Sequence, residues 1–359
     1  SIAPDAVQRA VMSAVQSAMS SLVERLWYGR KRPLAFLAPL SWLYRSIAEA
    51  RRRAAWDARD ASLPVPVIVV GNITAGGTGK SPLTAWLVSA LASDGWRPVI
   101  LSRGYGGDAV QYPLEVAAET SPSEAGDEPV MLALSTGCPV VVDPRRRRGA
   151  DYALEKNLGD VLICDDGLQH YKLPRDLELS VFDGQRGIGN GALIPVGPLR
   201  EPVSRLASVD FVIVNGKELS EQAMESFVGI DHPAIFSMIL EPATLVHLKT
   251  WGSRAVGDLR GKAVRAVAGI GNPARFFDTL RTLGADVTEA AFPDHHRFRP
   301  EDLNSDTDEL IVMTAKDAVK CREFAPDNAW SLNVEARLPG PFRDAFLARV
   351  RQCSAPLTS

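Results

Sequence analysis

The densest chemistry in the sequence lies at Thr74-Ala75-Gly76-Gly77-Thr78-Gly79-Lys80-Ser81. An apolar run from Val65 to Val70 precedes it, and a helix-forming segment from Pro82 to Leu91 follows. Strand, glycine-rich loop and helix in that order read as a phosphate-binding P-loop. Glycines let backbone N–H groups curl around phosphate oxygens, and the helix N-terminus adds a favourable dipole. Lys80 is expected to neutralise the β/γ-phosphates and Ser81 to offer its hydroxyl to Mg²⁺. Pro82 is tolerated because the first helical turn has no N–H partner to lose. Thr74 stands where the general pattern has its first glycine, and the bland alternative is an ordinary glycine-rich turn.

A second signature supports a nucleoside triphosphate with magnesium. The apolar run Val161–Cys164 delivers Asp165-Asp166 at its end. A strand that carries an Asp to its C-terminal edge is the Walker B arrangement, which holds Mg²⁺ or its water shell. Taken alone, Asp-Asp after a strand is only a turn; beside a P-loop in the same sheet it means more.

Four other clusters carry reactive residue types. Arg103 lies in Ser102-Arg103-Gly104-Tyr105-Gly106-Gly107, where it approaches phosphate or sugar unless the stretch is only a flexible turn. Asp127, in Gly126-Asp127-Glu128-Pro129, precedes a helix near 129–136; it either caps that helix or serves as general base. Arg145-Arg146-Arg147-Arg148 is a solvated face or a contact for an anion. Asp294-His295-His296-Arg297-Phe298 holds two of the five histidines, in a spacing that does not suit zinc. In Thr314–Lys320, Lys316 reaches a phosphate or caps a helix.

The elements that must position these residues follow from hydrophobic periodicity. Short apolar runs predict strands at Val65–Val70, Pro98–Leu101, Pro139–Val142, Val161–Cys164, Leu177–Phe182 and Phe211–Val214. Runs this apolar suit strands buried on both faces, hence a mainly parallel sheet wrapped by helices. Residues 233–250 read as extended. A second α/β pattern follows, with strands Ala263–Ile270, Glu309–Met313 and Trp330–Val334 and a helix near Pro273–Leu283. The expected fold class is therefore α/β: a P-loop NTPase-type, mainly parallel sheet flanked by helices, with a second, smaller α/β domain and an N-terminal amphipathic helical segment. The division predicted is 1–60 for the amphipathic helices, 61–235 for the P-loop domain, 236–255 for a linking ribbon and 256–359 for the C-terminal α/β domain.

The chain has 359 residues, 46% of them hydrophobic, enough for two cores. A net charge of −3 gives no global basic field, so no nucleic-acid partner is expected. Four scattered cysteines suit a reducing compartment, and neither a membrane span nor a signal peptide is expected. The N-terminal region is unlike the rest. Val7–Leu26 has helical apolar spacing, and Pro33–Tyr44 carries Phe36, Trp42 and Tyr44 between Arg30-Lys31-Arg32 and Arg51-Arg52-Arg53. Aromatics flanked by basic residues suit an interfacial helix on anionic lipid, although helices packed on the domain would show the same composition.

Taken in order, these motifs resemble the tetraacyldisaccharide 4′-kinase (lipid A 4′-kinase) family from about residue 20 to 335. The matching segments are Val70–Pro82, Ser102–Gly107, Gly126–Pro129, Asp165–His170, Gly197–Glu201, Asp294–Phe298 and Thr314–Lys320. In that family Thr74 is usual, and Ser81 replaces a more common Thr with the hydroxyl kept. The resemblance implies transfer of the ATP γ-phosphate to the 4′-hydroxyl of a lipid A disaccharide 1-phosphate, giving lipid IVA. It implies Asp127 as general base with His295 as its partner, Mg²⁺ on Ser81 and on Asp165 or Asp166, and substrate or phosphate contacts from Arg103, His170, Arg200 and Glu201. It also implies peripheral or monotopic attachment to the cytoplasmic face of the bacterial inner membrane.

Two other classes share parts of the pattern. A P-loop GTPase or ATPase switch needs an N-K-x-D motif, and Asn215-Gly216-Lys217-Glu218 fits it poorly. A P-loop ligase of the dethiobiotin synthetase type has no use for the aromatic and basic N-terminus. The interfacial reading predicts that deleting residues 1–30 lowers recovery on anionic vesicles more than it lowers ATP affinity. Unchanged vesicle recovery in a sedimentation assay refutes the anchor.

Overall fold

Val67–Gly71 (β1) reads Val-Ile-Val-Val-Gly, and all five residues are buried, as a strand covered on both faces requires. The computed structural model describes residues 23, 25–29, 37–58, 60–216, 232, 234–294, 296–304 and 309–354. Among these, the strands in chain order are β1, Pro98–Ser102 (β2), Leu114–Glu115 (β3), Val140–Val142 (β4), Val161–Cys164 (β5), Leu177–Asp183 (β6), Phe211–Asn215 (β7), Ile235–His247 (β8), Ser253–Ala255 (β9), Ala263–Ala268 (β10), Asp286–Ala291 (β11), Leu310–Thr314 (β12) and Ala329–Arg337 (β13). The α-helices are Ala38–Asp57 (α1), Lys80–Ser93 (α2), Pro122–Ala125 (α3), Asp127–Thr136 (α4), Arg146–Glu155 (α5), Pro273–Thr282 (α6), Ala315–Cys321 (α7) and Gly340–Ser354 (α8).

The strands form one sheet in the order β11-β10-β12-β13-β8-β7-β6-β1-β5-β2-β4-β3, with β9 beside β8. From β7 to β4 every pairing is parallel. This is the mainly parallel α/β sheet expected. β1 lies between β5 and β6, so the loops after β1 and β5 open at the same edge. β8 joins the halves. Its first residues run parallel to β7, with Asn215 opposite Met238, and its remainder runs antiparallel to β13, with His247 opposite Trp330.

Two cores cover the faces of the first half, one around Ile68, Leu87 and Ile163, the other around Val69, Leu162 and Phe182. Two more cover the second half. Helix α8 returns to the first core: Phe342 and Phe346 are fully buried there, and the Phe342 ring lies 5.3 Å from Trp86 and Phe236 and 5.4 Å from Phe211. The 256–359 segment drawn from sequence thus ends on the opposite half of the sheet. The strand expected at Ala263–Ile270 stops at Ala268, because the Gly269 N–H donates to Asp317 Oδ2 at 2.9 Å instead of to a neighbouring strand.

The predicted helix at Val7–Leu26 lies almost wholly outside the described residues. The apolar stretch ending at Tyr44 is only the start of α1, which continues through Arg51-Arg52-Arg53 to Asp57 and buries no residue completely. Trp42 is 72% exposed, and Leu40, Leu43 and Ile47 are exposed with it. α1 is tied down by two side chains: Ser41 Oγ donates to Leu193 O at 2.7 Å, and Tyr44 Oη donates to Arg200 O at 3.2 Å.

Truncating the ring that joins α8 to the first core leaves a cavity among other aromatics. Phe342→Ala is expected to cost about 3–5 kcal/mol, a typical price for a buried Phe, and urea denaturation of the full chain measures it. A loss below about 1 kcal/mol shows that α8 is not part of that core.

Candidate active site

The P-loop is shaped by its own glycines and clamped from two sides. Gly79 precedes α2 with φ 94°, a left-handed conformation; a Cβ there meets Asn215 Nδ2 at 2.6 Å, so only glycine fits. Lys80 is the first residue of α2 and Ser81 the second, which puts both side chains at the positive end of the helix. Ala75 N donates to Pro198 O at 2.8 Å, and Thr74 bridges Leu199. Asn215, at the end of β7, donates from Nδ2 to Thr78 O at 3.1 Å. Arg275 on α6 reaches the same floor, within 3.4 Å of Asn215 Oδ1 and 3.3 Å of Asp183 Oδ2.

Lys80 has two acceptors near its ammonium, Asn72 Oδ1 at 3.5 Å and Asp166 Oδ1 at 3.4 Å. Arg200 Nη1 stands 3.7 Å from the same Asp166 oxygen. Burial opposes ionisation of Asp166, yet Lys80 and Arg200 hold its carboxyl below the usual range. Asp165 is the opposite case. Only 2% exposed, it is pushed up to about 7 by burial first and then by the charges of Glu128 and Asp166. Thr84 Oγ1, one turn after Lys80, donates to Asp165 Oδ1 at 3.1 Å. Two adjacent carboxylates therefore shift in opposite directions, because one faces cations and the other is buried beside further acids.

Asp127 opens α4, with Glu128 beside it in the first turn. Gly126, at φ 92°, occupies the cap position. Both acids face lysines of α7. Lys320 Nζ is 3.8 Å from Asp127 Oδ2, and Lys316 Nζ is 3.4 Å from Glu128 Oε1 and 3.7 Å from Asp294 Oδ1. Burial would lower the Lys316 pKa, but Glu128, Asp294 and Asp127 outweigh it and raise it. Glu128 acts on both Lys316 and Asp165, so α4 links the Walker B edge to the second half of the sheet.

The remaining expected residues separate by environment. Arg103 is exposed on the loop after β2. His170 is half-buried and depressed to about 4, by burial first and then by Arg146, Arg175, Arg103 and Lys172, so its ring is neutral at pH 7. Both oxygens of Glu201 already have partners: Gln169 Nε2 donates to Oε1 at 2.7 Å, and Tyr171 Oη donates to Oε2. That makes Glu201 a brace, since Gln169 also donates to Asn72 O at 3.0 Å. His295 lies outside the described residues. Its neighbour His296 is occupied, with Nε2 3.0 Å from Asp302 Oδ2 and its ring stacked on Phe292.

The arginine run is not one solvated face. Arg146 is buried and donates to Cys164 Sγ, Asp143 O and Asp165 O, while Arg148 pairs with Asp143 and Arg147 with Asp151. A buried partner of the β5 end was thus hidden inside a charge cluster. Asn72, Thr84, Gln169 and Arg275 were also missed as site-building residues. Asn72 directly after β1, and Thr84 one helical turn beyond Lys80, are the two whose positions alone signalled them.

The acidic edge suits a hard cation. Asp165 pays for burial beside Asp166 and Glu128, and a divalent ion would relieve that crowding. Among the described residues no group of three or more His, Cys, Asp or Glu forms a closed cage. Magnesium in phosphoryl-transfer sites typically has one or two carboxylates, the rest of its shell being phosphate and water, so the donor set fits.

Known proteins extend the picture. The family model for tetraacyldisaccharide-1-P 4′-kinase matches residues 33–351. The tetraacyldisaccharide 4′-kinase of Alkalilimnicola ehrlichii is 49% identical over 322 residues, 88% of this chain and 92% of that one. The enzyme of the same name from Legionella pneumophila strain Corby is 44% identical over 328 residues, 91% of this chain and 97% of that one. The crystal structure of LpxK from Aquifex aeolicus in complex with ATP superposes with a TM-score of 0.73 at 30% identity, covering 88% of this chain and 99% of that one. With the phosphate loop, the acidic edge and the fold all in agreement, the chain belongs to the tetraacyldisaccharide-1-P 4′-kinase family, kinases of lipid A synthesis.

Proposed function

We propose that this site transfers the γ-phosphoryl group of ATP, with Mg²⁺, to the 4′-hydroxyl of a tetraacyldisaccharide 1-phosphate at the cytoplasmic face of the inner membrane. One observation carries the reading. Lys80, Asp166 and Arg200 meet at the mouth of the P-loop, with Asp165 behind them and the acidic first turn of α4 in electrostatic reach.

Asp166 and Asn72 hold Lys80 at the mouth of the loop. When ATP binds, the Gly76–Gly79 amides and Lys80 take the phosphates, with Thr74, Ala75 and Thr78 completing the loop. Ser81 and Asp165 or Asp166 would hold Mg²⁺, which would supply charge neutralisation of the phosphates. Asp127 accepts the proton of the 4′-hydroxyl, and the oxygen attacks the γ-phosphorus as the bond to the β-γ bridging oxygen breaks. ADP leaves with the electron pair of that bond. His295 orients Asp127, and the exposed Arg103 contacts phosphate or sugar of the acceptor. His170 is neutral and so serves as a hydrogen-bond partner rather than a cation. Arg200, shared with Asp166, is placed for phosphate; Glu201 acts by holding Gln169 and Tyr171.

The lipid acceptor explains α1. Trp42, Leu40, Leu43 and Ile47 are exposed on the same helix as Arg45 and Arg51-Arg52-Arg53, and exposed apolar side chains among basic ones suit an anionic interface. No helix among the described residues is long and apolar enough to cross a membrane; the proposed attachment is peripheral or monotopic, through the exposed apolar and basic side chains of α1. Because α1 is tied to Leu193 and Arg200, the surface that meets lipid is coupled to the segment that clamps the P-loop. The chain divides functionally into the interfacial helices (1–60), the ATP-binding half (61–235), the β8–β9 ribbon (236–255) and the C-terminal half (256–359).

Labelled phosphate should move from ATP to a tetraacyldisaccharide 1-phosphate in vesicles or detergent. Asp127→Ala should lower kcat by about 10²–10⁴-fold while ATP still binds. Release of free phosphate without lipid labelling overturns the kinase reading, and a near-normal kcat in the variant places the base elsewhere. A second outcome concerns Asp165. Its folded pKa of about 7 lies above the unfolded value near 3.8, so its contribution to stability is complete below about pH 4 and is lost as pH rises to about 7. Asp165→Asn should therefore melt a few degrees higher than the parent without ligand at pH 8. That gap should grow between about pH 4 and 7, and turnover should be lost. Equal melting curves at pH 8 show that Asp165 carries no burial cost.

A further inference from the structure

Two lysines of the second half of the sheet reach across to the first turn of α4. Lys316 and Lys320 lie four residues apart on α7, hence on one face of that helix. They meet consecutive acids: Lys320 stands 3.8 Å from Asp127, and Lys316 stands 3.4 Å from Glu128. The Lys320 side chain is only 9% exposed. Its close partner is Asp317, at 2.8 Å and fully buried. Asp317 is itself fixed, since Oδ2 accepts from Gly269 N at 2.9 Å and from Thr314 Oγ1 at 2.7 Å. The Phe298 ring covers the ammonium from 5.0 Å.

A buried ammonium keeps its charge only where carboxylates stand beside it, and its position is then set by the better-held one. Here that is Asp317. Lys320 is therefore a fixed cation rather than a swinging one, with Asp317 as its close contact and Asp127 as its longer one. We infer that Lys320 is a positioning residue for Asp127: it delivers a fixed positive charge from the second half of the sheet, and so sets where the base carboxylate points. Lys316 steadies the same turn through Glu128. Seating of α7 on α4 thereby aligns the base. This rests on the reading of Asp127 as general base.

The test uses the full chain in the lipid-labelling assay. Lys320→Met keeps the packing of the stem but leaves Asp317 buried without its cation. The double variant Asp317→Asn/Lys320→Met removes both charges while Asn still accepts from Gly269 and Thr314, so it keeps the test open if the single variant does not fold. Either variant should lower kcat by about 10–100-fold, the scale of a misplaced catalytic group. The KM for ATP and the ATP Kd should stay within about two-fold. In an Asp127→Asn background the same change should cost almost nothing further, because Lys320 acts only through Asp127. A kcat within two-fold of the parent, or an equal loss in the Asp127→Asn background, overturns the proposal. A raised ATP KM with unchanged kcat also overturns it. If Asp127→Asn alone keeps the parent kcat, the base assignment fails first, and the positioning role falls with it.

Discussion

Asp165 is the constraint around which this structure is arranged. A carboxylate sealed against water beside two further acids is costly, and its neighbours are placed to contain that cost. Thr84 donates to it from the first turns of α2, and Arg146 donates to its backbone carbonyl. Lys80 is close enough to act on both aspartates of the pair. The same elements build the phosphate site: α2 begins at Lys80, and β5 lies against β1. A charge imbalance held in a low-dielectric edge is a ready place for a cation and for phosphate.

The second dependence is mechanical. The sheet is continuous through β8, a strand of 13 residues that changes partner and direction of pairing near its fourth residue. Side-chain links then cross between the halves at two places. Arg275 joins α6 to Asp183 and Asn215 under the P-loop, and the lysines of α7 join the acids of α4. In the mechanism proposed above, phosphate binding and base placement are therefore both shared between the halves. Any relative movement about β8 would change them together.

Much of the fold was legible because buried parallel strands have no polar face to hide. Val161–Cys164 and Phe211–Val214 are recognisable as continuous apolar runs bounded by acids or turns, and the structure places strands there. The P-loop was legible for a different reason: its glycines, Lys80 and Ser81 are contiguous in the chain and lie between an apolar strand and a helix, whereas the contact of Gly79 with Asn215 was not. Helix α8 and β11 were not foreseen. Asp286–Ala291 is an edge strand of mixed polarity, and the apolar residues of α8 do not reveal which half of the sheet they cover.

What the sequence by itself determined is chemistry carried by contiguous residues: a phosphate loop, an acidic strand end, an apolar and basic N-terminal segment, and the parallel α/β class. Tertiary structure alone decided which of two adjacent aspartates is buried, that Arg146 is internal while Arg145 is exposed, and that Glu201 is spent on Gln169 and Tyr171. It alone brought α7 against α4 and carried α8 back to the first core. The physical reason is range. Backbone conformation and strand burial are set within a few residues, whereas charge state and pairing depend on solvent exclusion by segments far away in the chain.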